Sequence, residues 1–313
     1  MGQPAGGARE PSGPPLRVVV VHWNQPVACA ETVERFLGDP VPSRVTVIDN
    51  ASTPAAQREL RERLDALDAG DAIEVIWSPV NSGFGPGANL GLRAFLDRPD
   101  DGDWVALCPH DVELFPGCLT AALRTVSTEP MAGLACADVG DGMVPVIDAY
   151  FGGMTVPSPT PPPPEGVTAW EDVAYPHGTL MFLRRACLDD VGVFDERYFS
   201  YCEEADLAHR AASSGWRIGL IRNARVQNLH LGSSVALVDY LQTRNTILFV
   251  RELSGTYHAF IRTCITLIQV VSGLLRPGSR PLVFDARARL LGVRDVLRGR
   301  FGPPPGAVLS RQS

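Results

Sequence analysis

Four short hydrophobic runs, each followed by a polar loop and a helix-forming segment, dominate the first third of the chain. They are residues 16–22, 44–48, 73–77 and 104–107. Runs this rich in Val and Ile are typical of strands that are buried on both faces of a parallel sheet. Strands and helices that alternate through short loops predict an α/β fold with a mainly parallel central sheet flanked by helices.

The loops after these strands are candidate binding loops, because ligands of such sheets lie beyond the carboxyl ends of the strands. The loop at residues 81–91 is the most informative, with four glycines and two asparagines before a helix. Glycines allow the backbone to approach a ligand closely, and a helix N-terminus favours phosphate. The spacing is not that of the dinucleotide fingerprint, and no Walker lysine is present.

A second informative stretch is an aromatic, irregular run that ends in three carboxylates. Glu203, Glu204 and Asp206 fall within four residues, and helix formers continue to Ser214 before Gly215. Acidic residues are common in a first helical turn, where free N–H groups and the helix dipole favour them. The preceding aromatic residues also predict partial burial, which raises a carboxylate pKa toward values useful for a general base.

Composition narrows the class of protein. The chain has 313 residues, 45% of them hydrophobic, which is enough for one large α/β domain with an appendage or for two small domains. A net charge of −7 argues against nucleic-acid binding. Seven scattered cysteines without a CxxC pair indicate reduced thiols and a cytoplasmic location. Residues 1–15 are Gly/Pro-rich, which predicts a disordered tail and not a signal peptide.

Several segments resemble inverting family 2 glycosyltransferases of the GT-A fold, particularly the rhamnosyltransferase-like branch. The matching segments are HWN at 22–24, IDNAS at 48–52, NSGFGPGANLGLR at 81–93 and the acidic stretch at 194–216. The resemblance covers about residues 16–250. It implies transfer from a pyrimidine nucleoside-diphosphate sugar, with a dTDP-deoxysugar such as dTDP-rhamnose favoured and a UDP-sugar open. The acceptor would be a hydroxyl of a glycan, a lipid-linked glycan or a natural product.

The resemblance also implies roles for individual residues. The second acid of the family's acidic pair is the general base, which corresponds to Glu204, although the family usually has Asp there. Glu203 and Asp206 would orient the base or the acceptor. The positions implied in nucleotide-sugar binding are His22, Asn24, Asp49, Asn81, Gly83, Gly85, Asn89 and Arg244, with Arg244 beside the donor diphosphate. The acceptor side would contain Gly153, His177 and Gly178.

The family's DxD metal motif corresponds to residues 109–111, but Pro109 replaces its first Asp and only Asp111 remains. One carboxylate together with diphosphate oxygens can still hold Mg²⁺ or Mn²⁺, because these hard cations prefer oxygen ligands and keep several waters. Many relatives carry a histidine at the position of His230 that completes the metal shell. The resemblance therefore implies metal dependence through Asp111 and His230.

Residues 251–302 are predicted to form amphipathic and basic helices. Apolar residues recur at helical spacing from Phe260 to Leu274, and seven arginines lie between residues 276 and 300. The uncharged run 263–275 is shorter than the about 20 residues that span a bilayer. It could pack on the catalytic domain, form a homodimer contact or lie on the inner face of the cell membrane. A solvated Arg-rich helix is equally consistent, and residues 303–313 are expected to be a flexible tail.

Residues 16–250 are predicted to form the catalytic domain, with a donor-binding half at about 16–115 and an acceptor half at about 116–250. Residues 138–172 are expected to be irregular. Two other functions stay open. A catalytically impaired sugar-nucleotide-binding protein fits the incomplete metal motif and Glu204 in place of Asp. A nucleotidyltransferase shares the sheet and the metal acids, but should show a basic phosphate-binding loop near the amino terminus, and the sequence has none.

Overall fold

A computed structural model shows the fold and describes residues 13–164, 166–229 and 234–309. The amino-terminal part alternates strands and helices as predicted. Its elements are β1 (Leu16–His22), α1 (Pro26–Leu37), β2 (Ser43–Asp49), α2 (Pro54–Asp65), β3 (Ile73–Trp77), α3 (Phe84–Leu96) and β4 (Trp104–Pro109). Pro26 and Pro54 occupy the first turns of α1 and α2, where a missing N–H costs no hydrogen bond.

After β4, strands and helices no longer alternate one by one. The elements are β5 (Val112–Leu114), α4 (Cys118–Thr128), β6 (Ala132–Asp138), β7 (Met143–Asp148), β8 (Gly152–Pro157), β9 (Ala169–Asp172), β10 (Met181–Arg184), α5 (Arg185–Val191), α6 (Glu203–Ser213), β11 (Arg217–Asn228), α7 (Val235–Ser254), α8 (Thr256–Leu275), α9 (Ala286–Leu297) and α10 (Gly306–Leu309). The expectation of an irregular region at 138–172 is wrong, because β7 and β8 form an antiparallel hairpin there.

In the part of the chain that the structure describes, nine strands form one sheet in the order β3-β2-β1-β4-β10-β6-β11-β5, and β9 pairs with β11. The α/β class is confirmed. Parallel pairing joins β3, β2, β1 and β4, and also β6 and β11. Strand β10 runs antiparallel between β4 and β6, so the sheet is more mixed than expected.

Helices cover both faces of this sheet, and β1 shows why. Val18 and Val20 point into a core formed with α1, α2 and α4, while Val19 and Val21 point into a second core formed with α3, α5 and α6. Every residue of β1 is buried. A strand between two apolar cores needs hydrophobic side chains in both directions, which explains the uninterrupted valine run.

The carboxyl-terminal helices pack around α7, which ends at Ser254 and so crosses the boundary expected near residue 250. Helix α10 lies within the expected flexible tail, and its Val308 is buried. Residues 1–12 of the expected amino-terminal tail and residues 310–313 lie outside the described part.

Helix α8 is oriented opposite to an ordinary surface helix. Its Thr266 is only 2% exposed, and Ala259 and Val270 are buried, whereas most of its large apolar side chains face outward. The most exposed are Tyr257, Phe260, Ile268, Val271, Leu274 and Leu275. The helix has 20 residues and is long and apolar enough to cross a membrane by length and composition, although no other feature of the fold requires it to do so. One side of α8, which includes Ala259, packs on α7 and α9. The exposed apolar side chains form the other side, which a homodimer contact or a membrane surface would use.

The glycine-rich start of α3 packs directly against the segment before α6. Gly83 has φ +98°, and a Cβ at this position would lie 2.1 Å from the carbonyl oxygen of Phe199. Asn89 pairs with the backbone of Phe194: its Nδ2 donates to the carbonyl oxygen at 2.9 Å, and its Oδ1 accepts from the N–H at 3.0 Å. These contacts join two motifs that are about a hundred residues apart in the sequence.

Replacing Gly83 by Ala is expected to lower the free energy of unfolding more than replacing Gly215 by Ala. Both glycines have positive φ, +98° and +88°, so each substitution introduces roughly 1–3 kcal/mol of backbone strain. Only at Gly83 would the new methyl group also collide with backbone, because no atom lies within 4 Å of a Cβ at Gly215. Urea unfolding followed by circular dichroism measures both losses, and equal losses would contradict the packing of Gly83 on Phe199.

Candidate active site

Two cavities adjoin one another, and Tyr201 lines both. The first, of about 170 Å³, lies where β1 and β4 end, and we call it the strand-end cavity. Its wall includes His22, Trp23, Asn50, Asn81, Gly83, Phe84, Pro109, His110 and Phe199. The second, of about 290 Å³, lies at the start of α6, and we call it the Glu204 cavity. Its wall includes Gly153, Tyr175, Cys202, Glu204, Thr246, Arg262 and Arg289.

His22 and Asp49 form a buried pair at the edge of the strand-end cavity. His22 Nε2 accepts a hydrogen bond from the N–H of Gln25 at 3.1 Å, which assigns a proton to Nδ1, and Nδ1 donates to Asp49 Oδ1 at 2.9 Å. The other Asp49 oxygen accepts from the N–H of Ser52 and from Gln57 Nε2, at 3.2 and 2.6 Å. Burial alone would raise the pKa of Asp49, but these hydrogen bonds outweigh it and lower the pKa.

Side-chain amides fix the loops around this cavity. Asn24 Oδ1 accepts from the N–H of Thr53 at 2.8 Å, which ties the first loop to the second. Asn50 Nδ2 donates to the carbonyl oxygen of Gly83 at 2.7 Å, and Asn81 Oδ1 accepts from the N–H of Gly83 at 3.0 Å. Asn50 was not singled out from the sequence, although it lies inside the IDNAS segment and lines the cavity.

The eight residues expected to bind the donor form two groups, since three of them line the strand-end cavity and five do not. His22, Asn81 and Gly83 line the strand-end cavity. The other five are Asn24, Asp49, Gly85, Asn89 and Arg244, and each contacts protein groups instead. Asp49 and Asn89 have no exposed surface, and a Cβ on Gly85 would lie 3.2 Å from Glu203 Cγ. None of these five residues lines the strand-end cavity.

Arg244, which is expected beside the donor diphosphate, is buried against backbone groups in the structure. Its side chain has no exposed surface, and its guanidinium donates to the carbonyl oxygens of Gly302 and Tyr198 at 2.7 and 3.1 Å. Asn245 Nδ2 lies 2.7–2.8 Å from the carbonyl oxygens of Tyr198, Ser200 and Tyr201. The Arg-Asn pair therefore holds the backbone that leads into α6.

That backbone is strained. Phe199, Tyr201 and Cys202 have φ of +66°, +71° and +74°, a region that residues with a side chain rarely adopt. Such conformations cost about 1–3 kcal/mol each and persist only where surrounding contacts impose them. The hydrogen bonds from Arg244 and Asn245 are these contacts, and the result is a turn that presents Tyr201 to both cavities.

The three acids of α6 have three different surroundings. Glu204 lines the Glu204 cavity, and its Oε2 is buried without a hydrogen-bond partner in the described part of the chain. Glu203 is 3% exposed and packs on Gly85. Asp206 accepts from Arg210 Nε at 3.0 Å and does not line either cavity. Burial raises the pKa of all three, and the Glu204 charge raises that of Glu203 further.

The residues expected on the acceptor side lie near Glu204. Gly153 lines the Glu204 cavity, and a Cβ on Gly178 would lie 4.0 Å from Glu204 Oε1. Both ring nitrogens of His177 are buried and lack a hydrogen-bond partner among the described residues, and burial lowers its pKa. Tyr175, Arg262 and Arg289 also line the cavity and were not predicted, because no local pattern links them to Glu204.

The candidate metal motif supplies one carboxylate, that of Asp111. Asp111 is 5% exposed, and its Oδ1 accepts from Asn228 Nδ2 at 3.4 Å. Within residues 13–164, 166–229 and 234–309, no group of three or more His, Cys, Asp or Glu side chains could hold a metal ion. His230 lies outside the described residues. The single carboxylate of Asp111 fits a hard cation that takes its remaining oxygen ligands from substrate and water.

Comparisons with known proteins identify the family and the fold. The family model "Glycosyl transferase family 2" matches residues 17–192. The N-acetylglucosaminyl-diphospho-decaprenol L-rhamnosyltransferase of two Mycobacterium tuberculosis strains is 27% identical over 222 residues, which cover 62% of this chain and 70% of that protein.

Two solved structures show the same fold at 14% identity. The mannosyltransferase PcManGT from Pyrobaculum calidifontis, in complex with GDP-Man and Mn²⁺, has a TM-score of 0.58 over 94% of this chain and 90% of that one. GalNAc-T7 with UDP, GalNAc and Mn²⁺ has a TM-score of 0.55 over 75% of this chain and 51% of that one. The family model spans more than half of the sequence, from β1 to the end of α5. The chain therefore belongs to glycosyltransferase family 2 and is a transferase with the GT-A fold.

Proposed function

We propose that this glycosyltransferase is inverting and that Glu204 is its general base. The observation that carries the proposal is the position of Glu204: of the three acids in the first turn of α6, it is the one on a cavity wall, and that cavity adjoins the strand-end cavity at Tyr201. A donor in one cavity and an acceptor in the other would meet there. Burial of Glu204 raises its pKa and makes it a stronger base than an exposed glutamate.

The proposed reaction is a single displacement. The Glu204 carboxylate takes the proton of an acceptor hydroxyl, whose oxygen forms a bond to the anomeric carbon from the face opposite the diphosphate. The bond between the anomeric carbon and the diphosphate oxygen breaks, and the nucleoside diphosphate leaves with the electron pair. Attack from the opposite face inverts the configuration. Glu203, packed on Gly85, holds Glu204 in place, and Asp206 anchors the turn through Arg210.

The strand-end cavity is the proposed site of the pyrimidine nucleotide. Its wall combines aromatic rings from Trp23 and Phe84 with the amides of Asn50 and Asn81, which suits a flat base with donors and acceptors at its edge. Asp49 acts through His22 by keeping the Nδ1 proton directed at itself. A dTDP-deoxysugar is the preferred donor, because the curated relative is named as an L-rhamnosyltransferase. A UDP-sugar is the second choice.

Mg²⁺ or Mn²⁺ is the proposed cofactor. Asp111, beside Asn228, would hold the ion together with diphosphate oxygens, and His230 stays a predicted ligand. A bound divalent ion would neutralise negative charge on the departing diphosphate. Both similar solved structures contain Mn²⁺, which supports a divalent cation here.

A lipid-linked glycan at the inner membrane surface is the proposed acceptor. The relative from Mycobacterium tuberculosis is named for a sugar linked to decaprenol through a diphosphate. Helix α8 exposes a row of apolar side chains, and the following segment is rich in arginine. Apolar side chains next to basic ones suit the surface of an anionic membrane.

Replacing Glu204 by Gln is expected to reduce kcat by about 10²–10⁴-fold, the usual contribution of a general base, while nucleotide affinity is kept. The measurement is release of nucleoside diphosphate in the presence of acceptor, with the exposed Glu62→Gln variant as the matched control. Unchanged turnover in Glu204→Gln would remove it as the base. Absence of turnover in the wild-type protein, with nucleotide binding intact, would support the catalytically impaired binder.

Glu204 should also determine how kcat/KM depends on pH. The base must be ionised, so activity is lost as the pH falls through the pKa of Glu204. Because burial raises that pKa, the acid limb should have its midpoint above 4.5, the ordinary glutamate value. A midpoint at or below that value would point to a different base.

Calorimetric titration with dTDP, UDP and GDP, each with Mn²⁺ or with EDTA, tests the donor class and the metal. We expect Mn²⁺-dependent binding of dTDP or UDP and weaker binding of GDP. Asp111→Asn should reduce the affinity in Mn²⁺ toward the value in EDTA, because it removes the carboxylate ligand, whereas the exposed Asp65→Asn should have no effect. Binding that is equal in Mn²⁺ and EDTA would argue against the metal site.

Flotation with phosphatidylglycerol vesicles tests the membrane face. Replacing Ile268 and Leu275 by Ser should release the protein from the vesicles, because these side chains are 67% and 76% exposed on α8. Val80→Ser is the control, since Val80 is 62% exposed but lies in the loop after β3. Unchanged flotation would exclude a membrane role for α8, and a dimer that dissociates in the double variant would assign the face to a homodimer.

A further inference from the structure

Two arginines from the C-terminal helices line the Glu204 cavity, and they differ in how their charges are balanced. Arg289 of α9 has partners for all its nitrogens: Nε lies 2.8 and 2.9 Å from the two carboxylate oxygens of Asp239, and the others donate to Gln269 and to the carbonyl oxygen of Val283. Its charge is therefore neutralised within the protein.

Arg262 of α8 is different. Its Nε is buried and has no hydrogen-bond partner in the described part of the chain, and no ion pair is formed there. Its guanidinium carbon lies 5.4 Å from the centroid of the Phe151 ring, a cation–π contact that supplies no negative charge. Burial and the nearby Arg289 charge lower its pKa. Arg262 is partly buried, and a partly buried cation without a carboxylate partner among the described residues carries a cost that an incoming anion would remove.

We propose that Arg262 binds a phosphate group of the acceptor while Glu204 faces the acceptor hydroxyl in the same cavity. This inference rests on the proposed function and names one recognition element of the acceptor. Both side chains line the Glu204 cavity, together with Cys202 and Tyr201. A guanidinium can donate two parallel hydrogen bonds to phosphate oxygens, which suits this ligand better than a single point charge would.

The position of Arg262 favours the phosphate of a lipid-linked acceptor. It lies on the inner side of α8, whose outer side carries the exposed Tyr257, Phe260 and Ile268. The lipid chain would then contact the outer side of α8, and the diphosphate would bind to Arg262 on the inner side of the same helix. The proposed nucleotide site, in contrast, lies in the strand-end cavity on the other side of Tyr201.

Calorimetric titration with inorganic pyrophosphate in EDTA tests the site in the full-length protein. We expect the wild type to bind pyrophosphate, Arg262→Gln to weaken this at least about tenfold, as for loss of a charge-assisted hydrogen bond, and Arg262→Lys to be intermediate. The exposed Arg58→Gln is the matched control and should bind like the wild type. No binding by the wild type, or equal affinity in Arg262→Gln, would overturn the proposal.

Two further readouts separate this inference from its alternatives. Titration with dTDP and Mn²⁺ should give the same affinity in Arg262→Gln and the wild type; a loss would assign Arg262 to the donor and overturn the inference. The melting temperature of Arg262→Gln should not fall, because removing an uncompensated, partly buried charge removes a cost. A clear fall would mean that Arg262 has a structural partner. Absence of dTDP binding by the wild type would contradict the proposed donor, while the pyrophosphate result would still stand on its own.

Discussion

The amide of Asn245 holds the turn on which both cavities depend. Its nitrogen lies within 2.8 Å of the carbonyl oxygens of Tyr198, Ser200 and Tyr201, so one side chain contacts three backbone acceptors of the turn. With this support the chain keeps left-handed conformations at Phe199, Tyr201 and Cys202, and only then does α6 begin with Glu204 on a cavity wall. Arg244 strengthens the same turn and links it to Gly302, so the carboxyl-terminal region contributes to the shape of the site.

One helical turn holds three acids in three different environments, and the backbone geometry explains the difference. Successive residues of a helix point about 100° apart, so Glu203 faces α3, Glu204 faces the cavity and Asp206 faces Arg210. A cluster that looks uniform in the sequence therefore contains a packing residue, a candidate base and an ion-pair partner. The choice between Glu203 and Glu204 as base depends on this orientation.

Sequence reasoning predicted the α/β class, the binding edge of the sheet and the acidic stretch, because local patterns encode them: valine runs, loops after strands, and carboxylates before helix formers. It did not predict contacts between residues that are far apart in the chain. Asn89 and Arg244 carry family-like motifs, but their partners are backbone groups of Phe194, Tyr198 and Gly302. The β7–β8 hairpin was missed because Pro145 and Pro157 interrupt its strand pattern. Arg262 was missed because it reaches the cavity only through the packing of α8.

Helix α8 has consequences for how this protein could be handled and altered. Arg262 and Gln269 line the Glu204 cavity, and neither of them is among the exposed apolar residues of the outer side. Polar substitutions on the outer side would improve solubility without changing a residue of the cavity wall. Deleting the helix, in contrast, would remove Arg262 and Gln269 from the cavity wall and would open the cavity to bulk water. Helix α8 therefore combines the apolar composition of a possible membrane span with two residues of the Glu204 cavity wall, Arg262 and Gln269.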